Sequence, residues 1–324
     1  MMNEAIKSFP AQFSFAPEIE RKEKLGTYKQ YVVLGMGGSH LAADMLSGRE
    51  PSLRMVVHSD YGLPHIAEEE KAKTLIIASS YSGNTEETLD GFEEAGRRGI
   101  PRSAISAGGR LRDLARNACV PYIQLPDTGV QPRSATGFSI IAMAVLMRQD
   151  TVAEELRGIG DWLAQHMNAF ESQGKILAEQ ARGRTPVIYA SSRNRAVAYN
   201  WKIKLNETGK VPAFYNVIPE LNHNEMTGFD MTDTTRTLSE KMFFVFLEDA
   251  DDHPKNQKCM AVTAGLYRDR GLPVVSVRAL GTQPFEKMFA STLIADWFAY
   301  YTSREYGTEA EQVPMVEEFK KKIA

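Results

Sequence analysis

Thr74-Leu-Ile-Ile-Ala-Ser-Ser-Tyr-Ser-Gly-Asn-Thr85 decides how the chain is read. The apolar run 74–78 has the length and content of a buried strand. A turn of hydroxyl side chains with one glycine follows, and the spacing predicts a helix from about Asn84. A helix start presents unpaired N–H groups and the positive end of its dipole, which favours an anion. Hydroxyls at Ser80, Ser82 and Thr85 add donors around the same point, and Gly83 lets the backbone approach it closely. A plain helix cap needs only one such residue. The turn carries more than that, so phosphate is the better reading.

The pattern repeats outward from this stretch. Apolar runs at 31–35, 55–58, 101–106 and 122–125 read as further strands, with helices over 39–46, 110–117 and 134–148. Short apolar runs alternating with helical stretches argue βαβ units and a parallel sheet. Residues 149–183 read as one long helix. The alternation then restarts, with strands at 186–190, 242–247 and 273–278 and helices at 195–209, 255–270, 286–306 and 316–323. Arg97-Arg-Gly-Ile-Pro101 and Arg268-Asp-Arg-Gly-Leu-Pro273 lead into strands in the same way, so the halves look like copies of one α/β domain. The expected fold is α/β with two tandem doubly wound, mainly parallel sheets flanked by helices. The expected division is an arm over 1–29, containing a possible amphipathic stretch at 5–15, a first domain over 30–152 and a second over 153–324. The copies differ at one turn. Where the first has the hydroxyl turn, the second has Glu248-Asp-Ala-Asp-Asp252, which would repel an anion.

Composition narrows the function classes. The 324 residues carry 38 basic and 41 acidic side chains, a formal charge of −3, which excludes a generally basic nucleic-acid binder. Two cysteines, Cys119 and Cys259, make no disulfide framework, and no signal peptide is evident; both point to the cytoplasm. No apolar run approaches the roughly 18–20 residues that span a bilayer.

Gly35-Met-Gly-Gly-Ser39 also joins a strand to a helix. It fits a dinucleotide fingerprint badly, because His40 stands where the third glycine belongs and Asp60 is a weak ribose acid. No Gly-Lys-Ser/Thr follows, which excludes a P-loop. Gly37, Gly38 and Ser39 read as a second backbone wall for a small phosphorylated ligand. Glu207 closes a predicted helix, and a solvated surface carboxylate is its ordinary alternative. His223 lies in Pro219-Glu-Leu-Asn-His-Asn-Glu225, where a loop histidine bonded to backbone is the alternative. Arg133, in Pro132-Arg-Ser-Ala-Thr136, has a surface arginine as its alternative. The histidines show no zinc spacing and no Gly-x-Ser-x-Gly elbow exists. The pattern alone stops at a binder of a phosphorylated small molecule.

Val33-Leu-Gly-Met-Gly-Gly-Ser39, residues 79–87 and Gln131-Pro-Arg-Ser-Ala-Thr-Gly137 resemble the sugar isomerase (SIS) domain. Leu205-Asn-Glu-Thr-Gly-Lys210 and Glu220-Leu-Asn-His-Asn-Glu225 are similar to the bifunctional phosphoglucose/phosphomannose isomerases, and the likeness runs over about residues 28–324. The resemblance implies a homodimer of tandem SIS domains and an aldose-ketose isomerase that needs no metal or redox cofactor. It implies that Ser39, Ser80, Ser82 and Thr85 hold a sugar phosphate and that Glu207 moves a proton between C1 and C2. Arg133 would steady the cis-enediolate. His223, donated by the neighbouring subunit, and a lysine of the last helix would open the ring; Lys320 best matches the spacing from Pro314, and Lys321 stays open. Two positions depart from the family. His40 replaces a small residue, and Val313 stands where archaeal members place a threonine associated with room for both C2 epimers, which bears on the mannose 6-phosphate activity. The alternatives are a non-catalytic sugar-phosphate sensor and an isomerase of another sugar phosphate.

Overall fold

The computed structural model describes residues 1–323. The chain forms two compact units. One is Lys7–Ala164, and the other joins Met1–Ile6 to the residues from Gln165 onward.

Helix α1 (Met2–Ser8) opens the chain and a 3-10 turn, Phe9–Ser14, follows. The first unit then alternates β1 (Gln30–Leu34), α2 (Gly38–Arg49), β2 (Met55–His58), β3 (Thr74–Ser79), α3 (Glu86–Arg97), β4 (Arg102–Ser106), α4 (Gly109–Asn117), β5 (Tyr122–Gln124) and α5 (Thr136–Leu146). All strand pairs are parallel and the order is β2-β1-β3-β4-β5, with Leu34 opposite Ala78 and Ser79 opposite Ile105. Strand β3 is buried along its whole length, as a parallel strand covered by helices on both faces must be.

Residues 5–15 are amphipathic, with Ile6, Phe9, Gln12 and Phe13 buried and Lys7, Ser8, Ala11 and Ser14 exposed. Phe9 and Phe13 are fully buried and meet edge to face; each contributes roughly 1.5–3 kcal/mol by leaving water. Gln12 donates to Ser134 O at 2.6 Å and accepts from Gly137 N at 3.0 Å, so its side chain serves the first turn of α5.

The single helix expected over 149–183 is two helices, α6 (Asp150–Gly158) and α7 (Gly160–Ala181). Glycines flank the break, and a Cβ at Gly160 would come 3.0 Å from Pro10 O. The N-terminal segment packs where a continuous side-chain surface would stand.

The second unit runs β6 (Thr185–Ser191), α8 (Arg195–Glu207), β7 (Phe214–Ile218), the 3-10 turns Glu220–His223 and Glu225–Phe229, α9 (Arg236–Ser239), β8 (Met242–Glu248), α10 (Pro254–Asp269), β9 (Val274–Arg278), α11 (Pro284–Glu305) and α12 (Pro314–Ile323). Its parallel sheet has the order β7-β6-β8-β9. Strand β7, absent from the expected elements, is a half-exposed edge strand that stops at Pro219. Beside the sheet Tyr189, Phe229, Phe244 and Tyr267 pack ring against ring. Helices α8 and α11 lie together, tied by Trp201 Nε1 to Ser291 Oγ at 3.0 Å and by the buried pair Lys204–Asp296 at 2.7 Å.

Candidate active site

In the order β2-β1-β3-β4-β5, the winding reverses between β1 and β3, and ligands of open α/β sheets bind at the carboxyl ends of such neighbours. Both glycine and hydroxyl turns stand there. Ser39 Oγ accepts from Tyr81 N at 3.2 Å, and Ser79 Oγ donates to Ser39 O at 2.9 Å, so the start of α2 is laced to the turn after β3. Ser80 is buried and its hydroxyl is 2.8 Å from Thr85 Oγ1. It also accepts from Gly83 N at 3.1 Å. Ser82 is exposed and Thr85 half-buried.

Gly83 has φ +72°, and a Cβ there would lie 1.8 Å from Gly108 O, so the turn is pressed against the one after β4. The capping alternative does not describe this turn. Thr85 occupies the N-cap of α3 and makes no side-chain cap bond; its hydroxyl is engaged with Ser80 instead. Gly37 at the N-cap of α2 likewise provides no side-chain cap.

Arg133 joins the same group through its backbone. A Cβ on Gly38 would fall 2.6 Å from Arg133 N, so the 3-10 turn Pro132–Ser134 lies directly on the start of α2. Arg133 is 1 % exposed, which removes the surface-arginine alternative. The neighbouring hydroxyls of Ser134 and Thr136 are buried without a hydrogen-bond partner among the described residues. Their sequence gave no separate signal, although both fall inside the Arg133 motif. His40 Nδ1 lies 2.6 Å from Asp44 Oδ2 one turn along α2.

Glu207, His223 and Lys320 belong to the second unit and to three separate elements. Glu207 is half-buried at the last position of α8. The amides of Thr208 and Gly209 both donate to Lys204 O, at 2.8 and 3.1 Å, which ends the helix there. Lys210 Nζ donates to Glu207 O and to Gln312 O, tying the end of α8 to the segment before α12. His223 is exposed at the end of its 3-10 turn. Lys320 is exposed on α12 and pairs with Glu317 at 2.8 Å. Lys210 and the residues around His223 fall inside the quoted motifs, but the sequence assigns them no partners, because Gln312 and Thr263 are distant in it.

The corresponding turn of the second unit is filled from within. Asp249 takes Lys287 Nζ at 3.0 Å and Asn194 Nδ2 at 3.2 Å, while Ser191 Oγ donates to Asp252 at 2.6 Å. Burial alone would raise the Asp249 carboxyl, but bonds from the Asp251 amide, Lys287 and Asn194 carry it below the usual range. Burial pushes the Asp252 carboxyl up.

The whole chain aligns at 30% identity with 99% of a bifunctional phosphoglucose/phosphomannose isomerase of Caldicellulosiruptor bescii. It aligns at 32%, over 99% of the chain and 97% of the relative, with a protein of the same name from Thermoplasma acidophilum. Residues 170–323 match the family described as bacterial phospho-glucose isomerase C-terminal SIS domain. Among solved structures, the tagatose-6-phosphate ketose/aldose isomerase of Escherichia coli superposes with a TM-score of 0.67 at 16% identity, over 95% of this chain and 94% of that one; this likeness is one of fold. Homology across its full length therefore makes the chain an isomerase of the bifunctional phosphoglucose/phosphomannose isomerase family.

Proposed function

We propose that the chain interconverts glucose 6-phosphate with fructose 6-phosphate and also accepts mannose 6-phosphate. The observation that carries the reading is the uncapped start of α3 behind the Ser80–Thr85 hydroxyl turn, at the reversal of the first sheet. Gly37, Gly38, Ser39, Ser80, Ser82 and Thr85 hold the phosphate. Its binding energy fixes the carbon chain without taking part in the reaction.

Glu207 removes the proton from C2 of the aldose and, then a carboxylic acid, returns it to C1 through a cis-enediolate while the hydroxyl proton of O2 passes to O1; one carboxylate serves as base and then as acid within the turnover. Arg133 steadies the oxyanion, because its guanidinium keeps its charge at every working pH. His223, donated by a second copy in a homodimer, and Lys320 handle the ring oxygen and anomeric hydroxyl as the pyranose opens. No redox cofactor is called for, since hydrogen moves within one molecule. The proposal places the enzyme in the cytoplasm, in keeping with the free thiols of Cys119 and Cys259; among the described residues no helix is long and apolar enough to cross a membrane.

The test is fructose 6-phosphate in metal-free buffer with separate coupled detection of each aldose phosphate. Glucose 6-phosphate is expected to form faster than mannose 6-phosphate, because Val313 offers no hydroxyl beside Pro314. Binding of fructose 6-phosphate with no aldose formed would make the protein a sensor.

A further inference from the structure

His223 is exposed, yet the residues around it are held. Leu221 is fully buried in the core beside the second sheet. Asn222 Nδ2 donates to Thr263 Oγ1 of α10 at 2.6 Å. Glu225, half-buried, has its two carboxylate oxygens taken by separate donors, the Tyr189 hydroxyl of β6 and the Asn216 side-chain amide of β7. Its own amide donates to Asn224 Oδ1 at 2.6 Å. Tyr189 is wholly buried, with its hydroxyl 3.5 Å from that of Tyr267. Burial pushes the Tyr189 phenol up, so it remains a donor.

We infer that Glu225 is a positioning residue: clamped to β6 and β7 by Tyr189 and Asn216, it fixes the loop that presents the His223 imidazole to the sugar. The inference rests on the ring-opening role given to His223 above. An exposed side chain on a short loop samples many orientations, and ordering it costs conformational entropy. A clamp two residues away removes the backbone part of that cost from the reaction, because the loop is already in place when the substrate arrives. Two donors from adjacent strands also fix direction, which a single bond would not. A carboxylate that only filled space beside Tyr189 would affect folding and leave turnover alone.

The test is steady-state turnover of fructose 6-phosphate by Glu225→Ala, Glu225→Gln and Tyr189→Phe, and by Glu225→Ala combined with His223→Ala. Glu225→Ala and Tyr189→Phe are expected to lower kcat by up to about 100-fold with KM within about twofold, the scale of a misplaced but intact group. Glu225→Gln keeps the shape and one acceptor and is expected to recover part of the loss. In the His223→Ala background Glu225→Ala should add nothing further, since both act through one imidazole. Losses that multiply in the double variant, or full kcat in Glu225→Ala, would overturn the clamp. If Glu225→Ala does not fold, Tyr189→Phe keeps a ring in the core and carries the same readout. Near-normal kcat in His223→Ala alone would instead overturn the role of the histidine, and the clamp with it.

Discussion

A glutamine at 207 keeps the reach and shape of the side chain but cannot take a proton. Glu207→Gln is therefore expected to lower kcat at least about 100-fold, the scale of a positioned base, while KM for fructose 6-phosphate moves only a few-fold because the phosphate turn is untouched. Near-normal turnover in a coupled assay would take Glu207 out of the mechanism. The turn proposed to hold the phosphate has its own single-residue test at Gly83. Its φ of +72° and the 1.8 Å approach of an added Cβ to Gly108 O leave no room for a side chain. Gly83→Ala carries left-handed strain of about 1–3 kcal/mol and a backbone clash besides. Its Tm should fall and its KM for fructose 6-phosphate rise together. Gly99 is also left-handed, with φ +65°, but faces open space. Gly99→Ala should lower Tm modestly with KM unchanged, which separates backbone strain from damage to the turn.

At the scale of elements, the two turns after β3 and β8 answer the same structural position in opposite ways. The first is left with uncapped amides and hydroxyls; the second is closed by Asp249, Asp252, Asn194 and Lys287. Because the Asp249 carboxyl is depressed in the fold, its stabilisation is present above its unfolded pKa and is lost as pH falls through the folded one. Asp249→Asn should therefore lower the urea midpoint at pH 7, and its difference from the wild type should shrink as the pH is lowered below the ordinary carboxylate range. A loss that stays the same as the pH is lowered would show that shape, not charge, matters there. Lys287 lies above the usual lysine range although burial opposes it, because it donates to Asp251 and Asp249. Its contribution persists through neutrality and fades only in strong base. The strands were legible in the sequence because a buried parallel strand is apolar along its whole length, as 74–78 and 242–247 are. Strand β7 was not, since Phe214-Tyr-Asn-Val-Ile218 is a half-exposed edge whose pairing with β6 is invisible locally. The break at Ile159 and the placing of Phe9 and Phe13 were hidden for the same reason: each depends on a partner far along the chain. The hydroxyl turn could be read because all its parts lie within six residues. The burial of Arg133 and the holding of the loop around His223 could not.

At the scale of the whole molecule, the two sheets share a plan. In each, the first strand lies between the second and third, which makes orders β2-β1-β3 and β7-β6-β8 equivalent. One copy leaves the start of its helix without a side-chain cap, the turn proposed above for the phosphate, and the other closes the turn with its own carboxylates. The proposed chemistry then draws the base from one chain and the ring-opening histidine from another, and this has a consequence that no single-chain enzyme shares. Glu207→Gln and His223→Ala homodimers would each have two defective sites. Reassorted by co-expression, half the dimers would hold one chain of each kind. In those, one site would combine a wild-type Glu207 with a wild-type His223 from its partner, and the other would carry both defects. About a quarter of wild-type turnover should therefore return, since half the dimers regain one of two sites. Activity that stays at the sum of the two inactive parents would mean that His223 works within its own chain, or not at the sugar at all. Giving the two variants different affinity tags separates these readings from a failure to reassort, because only a mixed dimer is retained through purification on both tags in succession.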